Sequence, residues 1–396
     1  MKLFNILLLT LLCLYLNIVS IHAEQLGIIS VVGNDSSSCS WIQEQKVGPT
    51  RPAKHQIVQA VSDMRIAAFD QYYYILEGTG KNKIRQYVYD IDSQNSPTPV
   101  WDYTITLPYD MVFVNNEKAY VLSNEASAIT IVNLSADTEK DFIKGHIPLN
   151  TYNDNNGSPE MTCGITIENK AFIVLQRLES QPYQPYLAVI DTSEDSNLPG
   201  IPLSINSPSD IQYIEDNNKI YVLGEGKNSK GGIEQIESSE PYTTTVILNN
   251  SNDEYFKEMA LIDETDGFVI TASSTSNVNT LCHINITTKE ISPVQFNTTD
   301  STYLKNKTLS GLALDLHDRL WVVNQTDKKV VIINTTPNQG KYQGDEDIDF
   351  SYDYNDKVPQ QITFCNSSST DDNAKQKPSS SGESGNFCFI GLLLGK

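Results

Sequence analysis

Residues 311–334 read GLALDLHDRLWVVNQTDKKVVIIN, and this stretch contains three short apolar segments separated by two polar intervals. The apolar segments are rich in Val, Ile and Leu, and β-branched residues favour β-strands. The polar intervals 315–318 and 325–328 each contain Asp, a residue that favours turns. The stretch therefore predicts a meander of short antiparallel strands.

The same pattern recurs along the chain about every 50 residues. A turn and a short apolar first strand occur seven times, at residues 62–64, 108–111, 159–161, 208–211, 257–259, 310–312 and 359–362. A second strand, and a third strand that ends on a turn residue, follow each of the first six copies. Weaker fourth strands, such as residues 101–107, fill the gaps. Four short strands per repeat without helical periodicity are typical of β-propeller blades.

We therefore predict an all-β fold, a seven-bladed β-propeller of four-stranded antiparallel blades, with six blades as the alternative. The seventh copy is incomplete after its first strand. Residues 27–32 can supply its third strand and residues 55–61 its fourth. Strands from both ends of the chain would then close the ring.

Segment 311–334 resembles the blades of YVTN/NHL-type propellers. The resemblance extends over about residues 26–365, through a degenerate pattern of strands and turns. Members of this family are usually extracytoplasmic binding or scaffold proteins. The resemblance implies the fold more strongly than it implies a function.

The N-terminus is predicted to be a secretory signal peptide, residues 1–23. Lys2 precedes an apolar run from Leu3 to Val19, and Ala23 precedes the polar Glu24. No later stretch approaches the roughly 18 apolar residues of a membrane span. We expect a secreted, extracytoplasmic chain, in which the propeller occupies residues 24–366.

The C-terminal residues divide into two segments. Residues 367–386 are rich in Ser, Asp, Lys, Gly and Pro, a composition typical of a flexible linker. The apolar tail, residues 387–396, has two interpretations. It can be a sorting or anchoring segment at the cell surface, or it can be the last propeller strand, because residues 386–390 resemble the second strand of other blades.

The formal net charge of −21 argues against nucleic acid as a partner, because phosphate binding needs a basic surface. An acidic exterior is suited to cationic ligands and metal ions, and it also favours solubility. We expect a monomer whose partner is an extracellular protein, a glycan or a small ligand.

Acidic residues recur at the start of the predicted innermost strand in five successive repeats. These residues, the acidic arc, are Asp63, Asp110, Glu160, Asp210 and Glu258. If their side chains face a common channel, they can hold Ca²⁺ or receive a basic ligand. The alternative is that each carboxylate accepts hydrogen bonds from turn amides.

Five cysteines follow the signal peptide, an odd number in a compartment that permits disulfides. Cys39 and Cys365 both belong to the predicted seventh blade, and they are the candidate disulfide pair. Ten Asn-x-Ser/Thr sequons also occur, at Asn34, Asn133, Asn156, Asn249, Asn285, Asn297, Asn306, Asn324, Asn334 and Asn366. They indicate either glycosylation in a eukaryotic secretory pathway or turn chemistry alone.

Loops on a rigid scaffold are where binding residues concentrate, so the favoured function is ligand binding. The alternative is a metal-dependent propeller hydrolase such as a lactonase, which needs a mixed acid and Asn set around one channel metal. A third possibility is a scaffold with no small ligand. No Ser-His-Asp arrangement stands out, and we assign no catalytic residue.

Overall fold

The computed structural model describes residues 25–33, 40–47, 53–61, 63–88, 96–180, 183–226, 231–250, 254–273, 279–297, 304–338, 341–344, 347–350 and 357–366. Within these ranges the regular secondary structure is almost entirely β-strand. The strands are β1 (Gln25–Gly33), β2 (Ser40–Lys46), β3 (Ala53–Ala60), β4 (Arg65–Phe69), β5 (Tyr72–Glu77), β6 (Lys83–Val88), β7 (Trp101–Thr104), β8 (Asp110–Phe113), β9 (Lys118–Leu122), β10 (Ala128–Asn133), β11 (Ile143–Pro148), β12 (Met161–Ile167), β13 (Lys170–Leu175), β14 (Tyr186–Asp191), β15 (Ser196–Pro202), β16 (Pro208–Ile214), β17 (Lys219–Gly224), β18 (Gly232–Glu237), β19 (Thr244–Asn249), β20 (Glu254–Leu261), β21 (Gly267–Ser273), β22 (Asn279–Asn285), β23 (Glu290–Pro293), β24 (Leu309–Leu314), β25 (Arg319–Asn324), β26 (Lys329–Asn338), β27 (Lys341–Gly344), β28 (Ile348–Asp349) and β29 (Lys357–Asn366). The short helix α1 (Glu139–Phe142) precedes β11.

The described strands form seven antiparallel sheets. The first six are sheet 1 (β4–β7), sheet 2 (β8–β11), sheet 3 (β12–β15), sheet 4 (β16–β19), sheet 5 (β20–β23) and sheet 6 (β24–β27, with β28 beside β26). Sheet 7 has the order β29-β1-β2-β3 and combines both ends of the described chain. The innermost strand of each sheet contacts the innermost strand of the next, in a closed cycle from β4 through β8, β12, β16, β20, β24 and β29 back to β4. The prediction of a seven-bladed β-propeller is confirmed, and the six-bladed alternative is wrong.

Among the described residues the core consists of seven apolar clusters, one between each pair of neighbouring sheets. Successive side chains of a strand point to opposite faces, so a central strand supplies two clusters. In β9, for example, Ala119 packs between sheets 1 and 2, whereas Tyr120 packs between sheets 2 and 3. Burial on both faces explains why the second strands are nearly continuous apolar runs in the sequence.

The ring closure differs from the prediction in one respect. β1 pairs directly with β29, with a register from Leu26 opposite Cys365 to Gly33 opposite Lys357. Residues 27–32 are therefore the second strand of sheet 7, and the assignment of this segment as the third strand is wrong. The third strand is β2, whose polar sequence SWIQEQK hides it from a search for apolar strands. β3 is the fourth strand, as predicted for residues 55–61.

Both termini of the sequence lie outside the described residues, including the predicted signal peptide, the linker 367–386 and the tail 387–396. The tail was one candidate for the second strand of the last blade, and β1 holds that place. In the part of the chain that the structure describes, no helix is long and apolar enough to cross a membrane.

The register of sheet 7 bears on the candidate disulfide. Cys39 lies outside the described residues, but its neighbour Ser40 begins β2. Lys46, at the other end of β2, pairs with Leu26, which in turn pairs with the buried Cys365. At about 3.3 Å per residue, Ser40 lies about 20 Å along the strand from the level of Cys365. Because Cys39 itself lies outside the described residues, the Cys39–Cys365 disulfide stays a prediction.

Candidate functional site

The innermost strands share an irregularity near their starts. A register shift occurs in five of them, β12, β16, β20, β24 and β29, where each pairs with its second strand. A β-bulge adds one residue on one side of a ladder and re-aims the neighbouring side chains. Polar side chains at these positions can therefore turn toward the next sheet.

Two members of the acidic arc make such contacts. Asp210 accepts hydrogen bonds from its neighbour Ile211 N at 2.8 Å and from Met259 N of sheet 5 at 3.1 Å. Glu258 accepts from Gly311 N at 3.1 Å and from Leu312 N at 2.8 Å, both in sheet 6. The two carboxylates thus link sheet 4 to sheet 5 and sheet 5 to sheet 6.

Uncharged side chains continue these inter-sheet links around the axis. The Ser310 hydroxyl donates to the Gln360 carbonyl at 3.3 Å, and Gln361 Oε1 accepts from Ile66 N at 3.3 Å. Gly311 lies beside this contact with a φ of +61°, and an added Cβ would come within 2.9 Å of the Gln360 carbonyl oxygen. The links therefore run from sheet 4 through sheets 5, 6 and 7 to sheet 1.

Two other members of the arc hold loops of their own sheets. Asp63 is exposed, and its Oδ2 accepts from Thr79 N at 2.8 Å. Glu160 accepts from Leu178 N and from Asn156 Nδ2, both at 2.6 Å. Thr79 and Leu178 lie in the loops between the second and third strands. These two carboxylates therefore serve loop amides, as the alternative interpretation expected.

Asp110 is the exception in the arc. The backbone amide of Met111 is its hydrogen-bond partner, and its Oδ2 is buried without any partner. The nearby charge is the Arg65 guanidinium, which stacks on the Tyr109 ring at 3.6 Å from the ring centre. Asp110 thus occupies the arc position without an inter-sheet link.

Burial raises the pKa of three of these carboxyls, Asp110, Asp210 and Glu258, to about 7. Their hydrogen-bond donors oppose the shift, and the charges of Glu258 and Asp110 add to it at Asp210. The charge of Asp210 is therefore coupled to those of the other two carboxyls. Among the residues that the structure describes, however, no three His, Cys, Asp or Glu side chains are grouped to hold a metal ion.

A second site, which the sequence did not reveal, lies between sheets 3 and 4. It is a groove of about 690 Å³, and its lining contains no charged side chain. The lining residues are Tyr183, Gln184, Pro185, Pro202, Leu203, Ser204, Asn206 and Thr244. One available signal was residues 176–185, QRLESQPYQP, because this loop between the second and third strands of sheet 3 is unusually long and contains two prolines.

Hydrogen bonds hold the described residues of this loop in place. Arg177 Nε donates to the Tyr152 carbonyl at 2.7 Å, and Arg177 Nη1 donates to the Gln184 carbonyl at 2.8 Å. Tyr183 Oη accepts from Ser207 N at 2.8 Å, and Gln184 Nε2 donates to the Leu203 carbonyl at 2.8 Å. These bonds order the described part of the groove wall without a ligand, and an ordered wall lowers the entropic cost of binding in general.

The opposite wall rests on a buried carboxylate. Glu234 of β18 is fully buried, and its Oε2 accepts from Ser204 N at 2.7 Å and from Ile205 N at 3.3 Å. Its Oε1 is buried without a hydrogen-bond partner. The segment that joins sheets 3 and 4 is therefore anchored directly behind the groove.

Comparison with known proteins supports the architecture. No protein-family model and no curated protein matches this sequence. A periplasmic gluconolactonase from Pseudomonas aeruginosa matches with a TM-score of 0.58 and 11% identity, over 86% of this chain and 99% of that chain. A putative 6-phosphogluconolactonase from Bacteroides uniformis matches with a TM-score of 0.60 and 9% identity, over 87% and 100%. A protein from Lactobacillus plantarum matches with a TM-score of 0.60 and 12% identity, over 86% and 99%. At such identities these similarities show the propeller fold alone.

Proposed function

We propose that this chain is a secreted or cell-surface binding protein that holds its ligand in the groove between sheets 3 and 4. The observation that carries the proposal is the preformed groove, whose long loop is fixed by the Arg177, Tyr183 and Gln184 hydrogen bonds. Its volume of about 690 Å³ lies within the range of roughly 300–1,000 Å³ typical of small-ligand sites. The predicted export signal supports an extracytoplasmic location.

The lining favours an uncharged ligand. The Tyr183 ring and the prolines offer apolar surface, while Gln184, Asn206 and Thr244 offer hydrogen-bonding groups. A phosphate or carboxylate ligand would lack a cationic partner here, and charge-assisted pairs supply much of the affinity for such ligands. A neutral oligosaccharide, or an uncharged polar segment of an extracellular protein, matches this chemistry.

The test is thermal unfolding of residues 24–396 with a panel of neutral oligosaccharides and their sulfated counterparts. A ligand at about 100 times its Kd adds about 2.7 kcal/mol to the stability, so binding raises the melting temperature. Thr244→Trp fills the groove and should abolish the rise. Thr245→Trp is the matched control, because Thr245 is exposed on the opposite face of the same strand. The proposal fails if every oligosaccharide is inert, or if both variants behave alike.

Metal-dependent hydrolysis, for example of a lactone, is the alternative function. Two of the similar structures are named as lactonases. The one observation in its favour is the unpaired Oδ2 of Asp110, an oxygen still able to bind a cation or a water near the axis. Lactone hydrolysis that requires a divalent metal and is lost in Asp110→Asn would establish this alternative. Hydrolysis that persists in Asp110→Asn would reject that site.

A further inference from the structure

Three third strands, β10, β22 and β26, carry an asparagine whose side chain accepts a hydrogen bond from a nearby backbone amide. Asn133 ends β10, Asn285 ends β22, and Asn334 lies within β26. Each is the first residue of an Asn-x-Ser/Thr sequon. The Oδ1 atoms of these side chains accept from Ser135 N at 3.1 Å, Thr288 N at 2.8 Å and Thr336 N at 3.0 Å, respectively. Turn formation therefore uses only the carbonyl oxygen of each side-chain amide.

The amide nitrogens of these three side chains remain available. Asn334 is exposed, and Asn133 and Asn285 are partly exposed. In the described ranges none of the three Nδ2 atoms donates a hydrogen bond, because the side-chain bonds there end on Oδ1. Turn chemistry and modification at Nδ2 are therefore compatible at the same residue.

Two other sequons lack this property. Asn324 is 2% exposed, and its Nδ2 donates to Asp327 Oδ2 at 2.8 Å. Asn156 Nδ2 donates to Glu160 Oε1 at 2.6 Å, in the contact that also fixes the groove loop. The structure thus separates sequons with an available amide nitrogen from sequons whose nitrogen is bonded.

Sheets 3 and 4, which flank the groove, have acidic residues at the equivalent turn. Asp191 Oδ1 accepts from Ser193 N at 2.8 Å and from Glu194 N at 3.1 Å, so an aspartate preserves the turn without an amide nitrogen. Glu237 ends the third strand of sheet 4. The turn therefore has no glycan acceptor on the two sheets that form the groove.

We infer that Asn133, Asn285 and Asn334 carry N-linked glycans after export, on sheets 2, 5 and 6. In this reaction Asn Nδ2 attacks C1 of an oligosaccharide attached to a lipid diphosphate. The N–C1 bond forms, the C1–O bond breaks, the lipid diphosphate leaves, and one Nδ2 proton passes to a base of the transferase. The inference rests on the predicted export signal and is independent of the groove ligand. The sequons at Asn34, Asn249, Asn297, Asn306 and Asn366 lie outside this repeated turn and are not part of it.

The experiment expresses residues 1–396 in a eukaryotic secretory cell and maps the secreted chain by mass spectrometry after enzymatic deglycosylation in heavy-oxygen water. Labelled aspartate is expected at residues 133, 285 and 334 and absent at residue 324. The triple variant Asn133→Asp/Asn285→Asp/Asn334→Asp should lose three glycans on a gel and remain secreted, since aspartate keeps the turn acceptor. The inference is overturned if the three sites are unmodified, if Asn324 is modified equally, or if the chain stays in the cytosol with residues 1–23 attached.

Discussion

The junctions between sheets 2 and 3 and between sheets 4 and 5 begin with the same residue type at the same repeat position. Asp210 accepts hydrogen bonds with both oxygens, one of them from Met259 of the next sheet. Asp110 has no such link, and its Oδ2 is buried without a partner. Both local sequences share the Pro-x-Asp pattern, and the outcome depends on which amide the next sheet presents. In sheet 3 the corresponding acid, Glu160, has a φ of +51° and holds the groove loop instead.

The largest expected change in stability follows from removal of the inter-sheet hydrogen bonds of Glu258. Glu258→Ala should lower the free energy of unfolding by about 2–5 kcal/mol, because the buried amides of Gly311 and Leu312 both lose their acceptor. Thermal or urea unfolding measures the change. Glu194→Ala removes an exposed glutamate side chain and should change stability by less than about 0.5 kcal/mol. Equal effects in the two variants would mean that the Glu258 hydrogen bonds do not contribute to the free energy of unfolding.

The pH dependence of stability should reflect the buried carboxyls. Burial raises the pKa of Asp110 and Asp210 from 3.8 to about 7. The folded state therefore binds the carboxyl protons of these two residues more tightly than the unfolded state does. Their contribution to the free energy of unfolding is complete below about pH 4 and is lost as pH rises through about 7. The free energy of unfolding should be lower at about pH 8 than at about pH 5, by at least ~1 kcal/mol. A stability that rises over this interval would contradict the buried, near-neutral carboxyls.

Replacement of each aspartate by asparagine should change stability in opposite directions at Asp110 and Asp210. Asp110→Asn removes a buried charge whose Oδ2 has no donor, so it should raise stability at about pH 8 by ~1 kcal/mol and reduce the pH dependence. Asp210→Asn places an NH₂ group against Met259 N or Ile211 N and should lower stability by ~1–2 kcal/mol. Melting curves of both variants at about pH 8 measure these changes. Effects of the same sign would contradict the conclusion that Asp210 forms an inter-sheet link and Asp110 does not.

The smallest expected effect concerns the predicted cation site. Every member of the arc already accepts an amide hydrogen, and Asp110 is the member whose second oxygen is buried without a partner, so we expect Oδ2 of Asp110 to be the Ca²⁺ ligand. A Ca²⁺-dependent gain should stay below ~1 kcal/mol and disappear in Asp110→Asn. Asp63→Asn is the control, because an amide oxygen can still accept from Thr79 N. A Ca²⁺-dependent gain in stability that is instead lost in Asp63→Asn would support a cation site formed by all five carboxylates of the arc.

Local signals in the sequence were sufficient for the repeat. Each blade carries its own turns and apolar strands, so the number of sheets and the mixed closure followed from the period. β2 was missed because its sequence is polar and its strand forms only through pairing with β1 and β3. Local patterns do not contain that information.

The site was less predictable for a similar reason. The partner of Asp210 lies 49 residues later in the chain, and no periodicity reveals which backbone amide a side chain meets across a sheet junction. The groove combines a loop of sheet 3, the segment that precedes sheet 4, and Thr244 of β19. Because these parts come from separate repeats, only the packed structure places them together.

The most direct test of the inter-sheet links is amide hydrogen exchange in the wild-type chain and in Glu258→Ala. Strong protection of the Gly311 and Leu312 amides is expected in the wild type, since both are buried and bonded to Glu258. The variant should lose protection at these two amides, while the Ile66 amide, bonded to Gln361, stays protected. Unchanged exchange at Gly311 and Leu312 would contradict the conclusion that this carboxylate links sheets 5 and 6.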